Sequence, residues 1–261
     1  GAAYGLRQAL DTAGAVAGPL LALVLMASFA NDFRLVFWVA VVPALVAVAI
    51  LVFAVREPVR AQPLVPQRTP IRWSELGQIG GPFWAVVVVG AVLTLARFSE
   101  AFLILRAVDL GLPIALAPAV LVVMNVAYSA SAYPIGVLSD HYDRRLILGM
   151  GFVVLILADL ILAFASGMWS VAIGIGLWGL HMGMTQGLLA ALVADTAPSA
   201  RRGTAFGFFH LASGAALLLA SLIAGVSWQL LGPSATFFAG AAFTGVGLIG
   251  LASLGTRIGR K

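Results

Sequence analysis

The chain of 261 residues has no cysteine, which excludes a disulfide framework, a thiol nucleophile and any Cys-ligated metal site. Charge is nearly as scarce. Asp, Glu, Lys and Arg make up 10% of the residues, against about 25% in water-soluble domains, and Lys261 is the sole lysine. The net charge of +5 does not point to nucleic acid, because the arginines are scattered between apolar runs and form no single basic patch. Metal-ligand spacings, a Ser-His-Asp arrangement and a phosphate-cradling glycine loop are missing as well. An enzyme is therefore not expected, and neither is a cofactor or a metal.

Hydrocarbon fills the rest. The chain is 62% hydrophobic with a mean hydropathy of +1.07, which places it in a lipid bilayer. A helix rising 1.5 Å per residue needs about 20 apolar residues to cross a core of ~30 Å. Eight segments meet that length, at 3–27, 33–55, 83–106, 114–138, 146–166, 169–193, 204–228 and 233–253. Backbone amides in lipid are satisfied only within helices or closed barrels, and these runs are too long and too unalternating for barrel strands. The expected fold is an all-α membrane protein, a bundle of eight transmembrane helices.

Basic residues orient the bundle, since they accumulate on the cytoplasmic side. One set of alternate loops, with the C-terminal tail, holds Arg56, Arg60, Arg68, Arg72, Arg144, Arg145, Arg201, Arg202, Arg257, Arg260 and Lys261; the opposite set holds Arg34 and Arg106. The C-terminus and the connections 56–82, 139–145 and 194–203 are thus expected in the cytoplasm.

The longest connection, "REPVRAQPLVPQRTPIRWSELGQIGGP", is Pro-rich and basic and reads as a linker. Within it Thr69 as N-cap, Pro70 at the first helical position and apolar Ile71, Trp73, Leu76 and Ile79 predict a short interfacial helix. The segment "TAFGFFHLASGAALLLASLIAG" from residue 204 echoes "AAYGLRQALDTAGAVAGPLLAL" from residue 2, the kind of duplication found in transporter halves. A cytoplasmic loop precedes the later copy and nothing precedes the earlier one. The expectation is an N-terminally truncated chain, with a natural eight-span protein as the alternative.

Residues 136 to 145, "GVLSDHYDRR", resemble the loop motif of the major facilitator superfamily, G-x-x-x-D-R-x-G-R-R/K, through Gly136, Asp140, Arg144 and Arg145; His141 and Asp143 depart from it. The run "GLRQALDTAGAVAGPLLAL" is similar to the fifth-helix motif of that superfamily's proton-coupled drug antiporters through Gly5, Gly14, Gly18 and Pro19, while Ala22 and Leu23 replace its last two glycines. The resemblance implies a major-facilitator-type helical bundle in which the spans are helices 5 to 12 of twelve. Residues 1–55 are then the last two helices of the N-terminal half, 56–82 the central cytoplasmic linker, 83–253 the C-terminal six-helix half and 254–261 a basic cytoplasmic tail.

Individual residues carry alternative readings. Gly14 and Gly18 are spaced for close helix packing, and the resemblance adds a bend and seal against leak at Pro19. Arg7 and Asp11, at i and i+4, most simply pair. In the sixth span Gly179, Gly183 and Gly187 fall on one face, while Trp178, His181 and Thr185 cluster nearly opposite. If the glycines pack on a neighbour, the second stripe is free to line a substrate cavity. Gln186, nearer the glycines, is expected to bond between helices. In the fourth span Asn125 and Ser129, with Tyr128 and Tyr133 nearby, suit either interhelical hydrogen bonds or cavity lining. Asp159, alone in the fifth span, must be protonated or paired inward.

Arg97 and Glu100, at i and i+3 in the third span, are expected to share a face turned to the bundle interior or to water. They read either as a static salt bridge or as the proton-coupling pair, with Glu100 the carrier, Arg97 its modulator and Asp11 the next candidate. The resemblance implies a cytoplasmic gating cluster of Asp140, Arg144, Arg145 and Asp195, with Asp140 facing the start of the first span, whose unpaired N–H groups favour an anion, and one of the two arginines reaching Asp195. The function implied is secondary active transport by alternating access, as proton-coupled efflux of amphipathic compounds. A proton symporter importing a small organic solute is the alternative, and a non-transporting scaffold or receptor the alternative of another class. Protons, a small-molecule substrate and the lipid bilayer are the expected partners of a monomer in the bacterial cytoplasmic (inner) membrane.

Overall fold

A computed structural model describes residues 2–29, 31–55, 80–198 and 201–253, with side chains from residue 11 to 252. The linker, where a short interfacial helix is expected, and the basic tail lie outside the described residues, as do the surroundings of Gly5 and the side chain of Arg7. Among the described residues there is no strand. The helices are α1 (Ala2–Ser28), α2 (Phe33–Phe53), α3 (Gly81–Ala96), α4 (Ala101–Asp109), α5 (Ala117–His141), α6 (Arg144–Ala163), α7 (Met168–Thr196), α8 (Arg202–Leu231) and α9 (Pro233–Ser253). They make eight candidate membrane spans, with α3 and α4 sharing one.

Local chemistry sets the helix ends. Asp32 caps α2, its carboxylate accepting from the Arg34 and Leu35 amides at 2.9 and 3.3 Å. Asp143 caps α6 in the same way through the Arg145 amide at 2.9 Å. Gly232, at φ 92°, turns the chain after α8, and Pro233 opens α9 with its φ already helical.

α7 is the centre of the bundle, flanked by α5 on one side and α6 on the other. α6 also packs on α9, α3 lies on α8 and α9, and α1 lies on α5. Close approach of α7 to α5 depends on two glycines. A Cβ on Gly179 would strike the Met124 carbonyl, and one on Gly183 the Ser131 hydroxyl. Gly187, by contrast, faces open space, so the glycine stripe packs through two of its three members. α2 has no buried residue and presents only apolar side chains outward, apart from Arg34 near its start.

The third span differs from the continuous helix expected over 83–106. α3 stops at Ala96, and residues 97–100 leave the helix before α4 begins. Arg97 takes φ −108°, ψ 84°, outside the helical region. Ser99 supplies a local alternative to the helical ladder, its Oγ accepting from the Ala101 amide at 3.3 Å.

Candidate functional site at the break in the third span

Irregular backbone at membrane depth is tolerated only where protein buries it or it lines a cavity. The break at 97–100 carries Arg97 and Glu100, both half-buried. Their shared helical face is corrected by the structure: with no helix through these residues, the i, i+3 spacing does not set their relation. Among the described residues no ion pair joins them, and the Arg97 guanidinium lies within electrostatic reach of Glu100, of Tyr128 on α5 and of His181 on α7. The Tyr128 hydroxyl donates to Gln186 Oε1 at 3.4 Å, tying α5 to α7 beside the break.

Asn125 behaves differently from an interhelical or cavity group. It is buried, and its Nδ2 donates to the Leu121 carbonyl of its own helix at 2.9 Å. Ser129 and Tyr133 are exposed.

Trp178, His181 and Thr185 have no exposed surface, so the stripe does not line open space. It faces α6. Trp178 Nε1 donates to Asp159 Oδ1 at 3.3 Å, His181 Nδ1 lies 2.9 Å from the Gly151 carbonyl, and a Cβ on Gly151 would stand 2.6 Å from the Thr185 methyl. Gly151 is the reason: without a side chain there, α6 closes on the sector of α7 opposite the glycines. The open groove on this part of the bundle, about 450 Å³, lies instead between α5 and α7, lined by Ala127, Ser131, Gly176, Leu177 and Leu180 among others. All of these except Ser131 are apolar.

At the far end of α6 from Phe164, Arg144 Nη1 meets Asp195 Oδ2 at 2.5 Å, joining the start of α6 to the end of α7. Arg145 is half-buried beside it, Asp140 is exposed on the last turn of α5, and Gly136 faces open space. The position of Asp140 relative to the start of α1 lies outside the described side chains. Asp11 is exposed on α1, and a Cβ on Gly14 or Gly18 would meet nothing within 4 Å. The close packing expected of those glycines is absent because no described helix covers that face; α1 buries Thr12 and Met26 instead.

Two residues gain roles that their sequence context did not reveal, and a third finds the inward partner that its context called for. Arg106, read from the sequence as a loop charge, folds back and caps α6: its Nε and Nη2 donate to the carbonyls of Leu162, Ala163 and Ala165 at 3.0, 3.3 and 3.0 Å. Phe98, in the break, turns inward against Trp178 and Phe237. Asp159 finds Trp178, nineteen residues away in the chain. The lone carboxyl in an apolar run was a signal for Asp159; nothing local signals the other two.

Comparison with known proteins places these features in a family. The pattern described as Major Facilitator Superfamily matches residues 95–258. An uncharacterized MFS-type transporter of Methanocaldococcus jannaschii is 29% identical over 246 residues, 92% of this chain and 60% of its own length. An uncharacterized Mycobacterium tuberculosis protein is 27% identical over 83% of this chain and 53% of its own. The class B tetracycline resistance protein of Escherichia coli is 31% identical over 104 residues, 40% of this chain and 25% of that protein. The chain thus spans somewhat more than half the length of the first two relatives. Among solved structures, the peptide transporter POT superposes with a TM-score of 0.59 at 18% identity, over 67% of this chain and 38% of that one, a likeness of fold.

Proposed function

Because the chain belongs to the major facilitator superfamily, we propose that it works as part of a proton-coupled secondary transporter that exports amphipathic compounds by alternating access. The observation that carries the reading is the break at 97–100, which places Arg97 and Glu100 in a membrane span at a point where the backbone has left the helix. An ionisable residue within a span is costly, by about 2.5–3.5 kcal/mol for Arg or Asp at the helix centre on translocon-insertion scales, and is retained where it moves an ion or substrate. A scaffold has no use for the pair. In this reading Glu100 carries the proton and Arg97 governs its release, while Tyr128 and Gln186 border the substrate path. Asp11 serves as the reserve proton site. Trp178, His181 and Thr185 support the path from behind, against α6.

Efflux rather than import is supported by the relative named for resistance to tetracycline, an amphipathic compound. Proton symport of a small organic solute is the second reading, and the direction of transport separates the two. The bundle is proposed to be monomeric in the cytoplasmic membrane with its C-terminus inside, and Arg144 with Asp195 to belong to a cytoplasmic latch that includes Asp140 and Arg145.

The test is transport in proteoliposomes holding the whole protein, with tetracycline and a lipophilic fluorescent cation as probes and an imposed pH gradient. The expected result is gradient-driven export of a probe by the parent. Glu100→Gln should lose the gradient-driven component while keeping probe exchange without a gradient, and Arg97→Ala should shift the pH dependence of binding. A Glu100→Gln protein transporting at the parental rate with the parental proton dependence would overturn the carrier role.

A further inference from the structure

Asp159 lies in the last part of α6, about one turn before its end at Ala163, with no exposed surface. Its Oδ1 accepts a hydrogen bond from Trp178 Nε1 at 3.3 Å, and its Oδ2 meets no donor within the described protein. Oδ2 is directed at α9, where a Cβ built on Gly240 would stand 2.6 Å from it and 3.0 Å from the Phe98 ring. Glycine at 240 therefore makes the room into which the carboxyl projects, and Phe98, a residue of the break, closes that room. The Phe98 ring is held there by Trp178, Phe237 and Phe102, with centroids 6.0, 5.5 and 5.4 Å away.

The surroundings offer few charges: Arg106 of α4, about one turn further along, is engaged by the Leu162, Ala163 and Ala165 carbonyls and by Asp109. α9 and α3 contain no ionisable residue, and α6 has none other than Asp159 beyond Arg145. On α7, apart from Asp195 at its far end, the titratable group is His181, whose ring centroid lies 6.4 Å from that of Trp178 and whose Nε2 is likewise buried without a partner. From the break, Arg97 and Glu100 flank Phe98 on either side. Packing does not require a carboxyl at this position, and an apolar side chain of similar volume would fill it without the desolvation cost. A carboxylate held by one indole bond in a dry interior is expensive, whereas a carboxylic acid is not.

We propose that Asp159 is a second proton-binding site of the transporter, loaded while Phe98 covers it and emptied when movement of the 97–100 break draws Phe98 aside. On opening, the Asp159 O–H bond breaks heterolytically, its proton passes to water admitted beside the ring, and the carboxylate left behind is held by the Trp178 indole and that water. The site adds to the coupling pair proposed above and does not require Glu100 to be the carrier.

The test uses the whole protein in lipid with the proton itself as probe, read by infrared difference spectroscopy across pH. The expected result is a protonated-carboxyl carbonyl band at neutral pH that shifts when aspartate is 13C-labelled, disappears in Asp159→Asn and persists in Glu100→Gln. Phe98→Ala, which keeps the acid but opens it to water, should lose the band at neutral pH and show carboxylate bands instead. Absence of a 13C-sensitive band in the parent would overturn the proposal even if Asp159→Asn failed to fold. A band unchanged in Phe98→Ala would overturn the role of Phe98 as the cover. A failed transport experiment with Glu100→Gln leaves these bands as they are, so the two proposals fail separately.

Discussion

Arg106 Nε donates to the carbonyl of Leu162 at 3.0 Å, across fifty-six residues of chain, and so ends one helix with the side chain of another. The last carbonyls of a helix have no partners within it, and in a membrane span few waters reach them. One guanidinium, with its rigid fork of donors, satisfies three. The Ser234 hydroxyl adds a bond of 2.7 Å to the Ala163 carbonyl. α4 is thereby fastened to α6 and α9, while α3, across the break, packs on α8 and α9.

Arg106→Ala should destabilise the bundle by about 2–4 kcal/mol, because hydrogen bonds from a charged donor contribute about 1.5–3 kcal/mol and the carbonyls left behind stay buried. Arg106→Lys should recover only part of the loss, since an ammonium cannot reproduce the fork. Asp109→Asn should matter little: the 2.8 Å bridge to Arg106 involves an Asp109 side chain with 40% exposure, where ion pairs contribute at most about 1 kcal/mol. Thermal unfolding in detergent, monitored by light scattering, ranks the three; equal losses for Asp109→Asn and Arg106→Ala would contradict the capping role.

The glycines separate by face. Gly179→Ala and Gly183→Ala each push a methyl into α5 backbone or Ser131, and overpacking of this kind costs about 1–3 kcal/mol. Gly187→Ala, Gly14→Ala and Gly18→Ala meet nothing within 4 Å and should leave the unfolding temperature the same or raise it, as alanine is the better helix former by about 1 kcal/mol. If Gly14 and Gly18 nonetheless serve the seal proposed from the antiporter motif, their variants will leak protons across a vesicle membrane without losing stability.

Orientation is open to labelling, because the chain has no cysteine to interfere. Single cysteines introduced near Arg34, Arg68, Ser166 and Ser199 should react with a membrane-impermeant thiol reagent added outside at the first and third positions only. Reaction at 199 from outside would reverse the proposed topology.

What the sequence revealed and what it hid divide along a physical line. Hydropathy alone marks a span, because lipid demands about 20 apolar residues whatever their neighbours, and α1, α2 and α5 to α9 accordingly lie where composition puts them. The break was hidden because Arg97 and Glu100 at i, i+3 suit a continuous helix as well as an interrupted one, and the aromatic partners that Phe98 meets in the break, Trp178 and Phe237, lie far away in sequence. The two faces of α7 were legible from a period of 3.6. Which helix covers each was not, since that turns on Gly151 of α6 admitting Thr185 and on the Met124 backbone of α5 meeting Gly179.

Arg144 and Asp195 test the proposed latch. Their contact joins the start of α6 to the end of α7 at 2.5 Å, but Asp195 has 62% of its side chain exposed, so solvent screens the pair and it should add at most about 1 kcal/mol to stability. A contact so weak energetically is suited to a gate, which must open and close at little cost. Asp195→Asn should therefore leave the unfolding temperature within about a degree or two of the parent while changing transport, because the latch acts on the balance between conformations and not on folding. If the pair itself sets that balance, the exchange Arg144→Asp with Asp195→Arg should restore transport that either single substitution impairs. The double exchange also keeps Asp143 in place as the cap of α6, so failure to fold is not its expected outcome. Transport equal to the parent in both single variants would show the contact to be an ordinary surface ion pair, and the gate would then have to rest on Asp140 and Arg145.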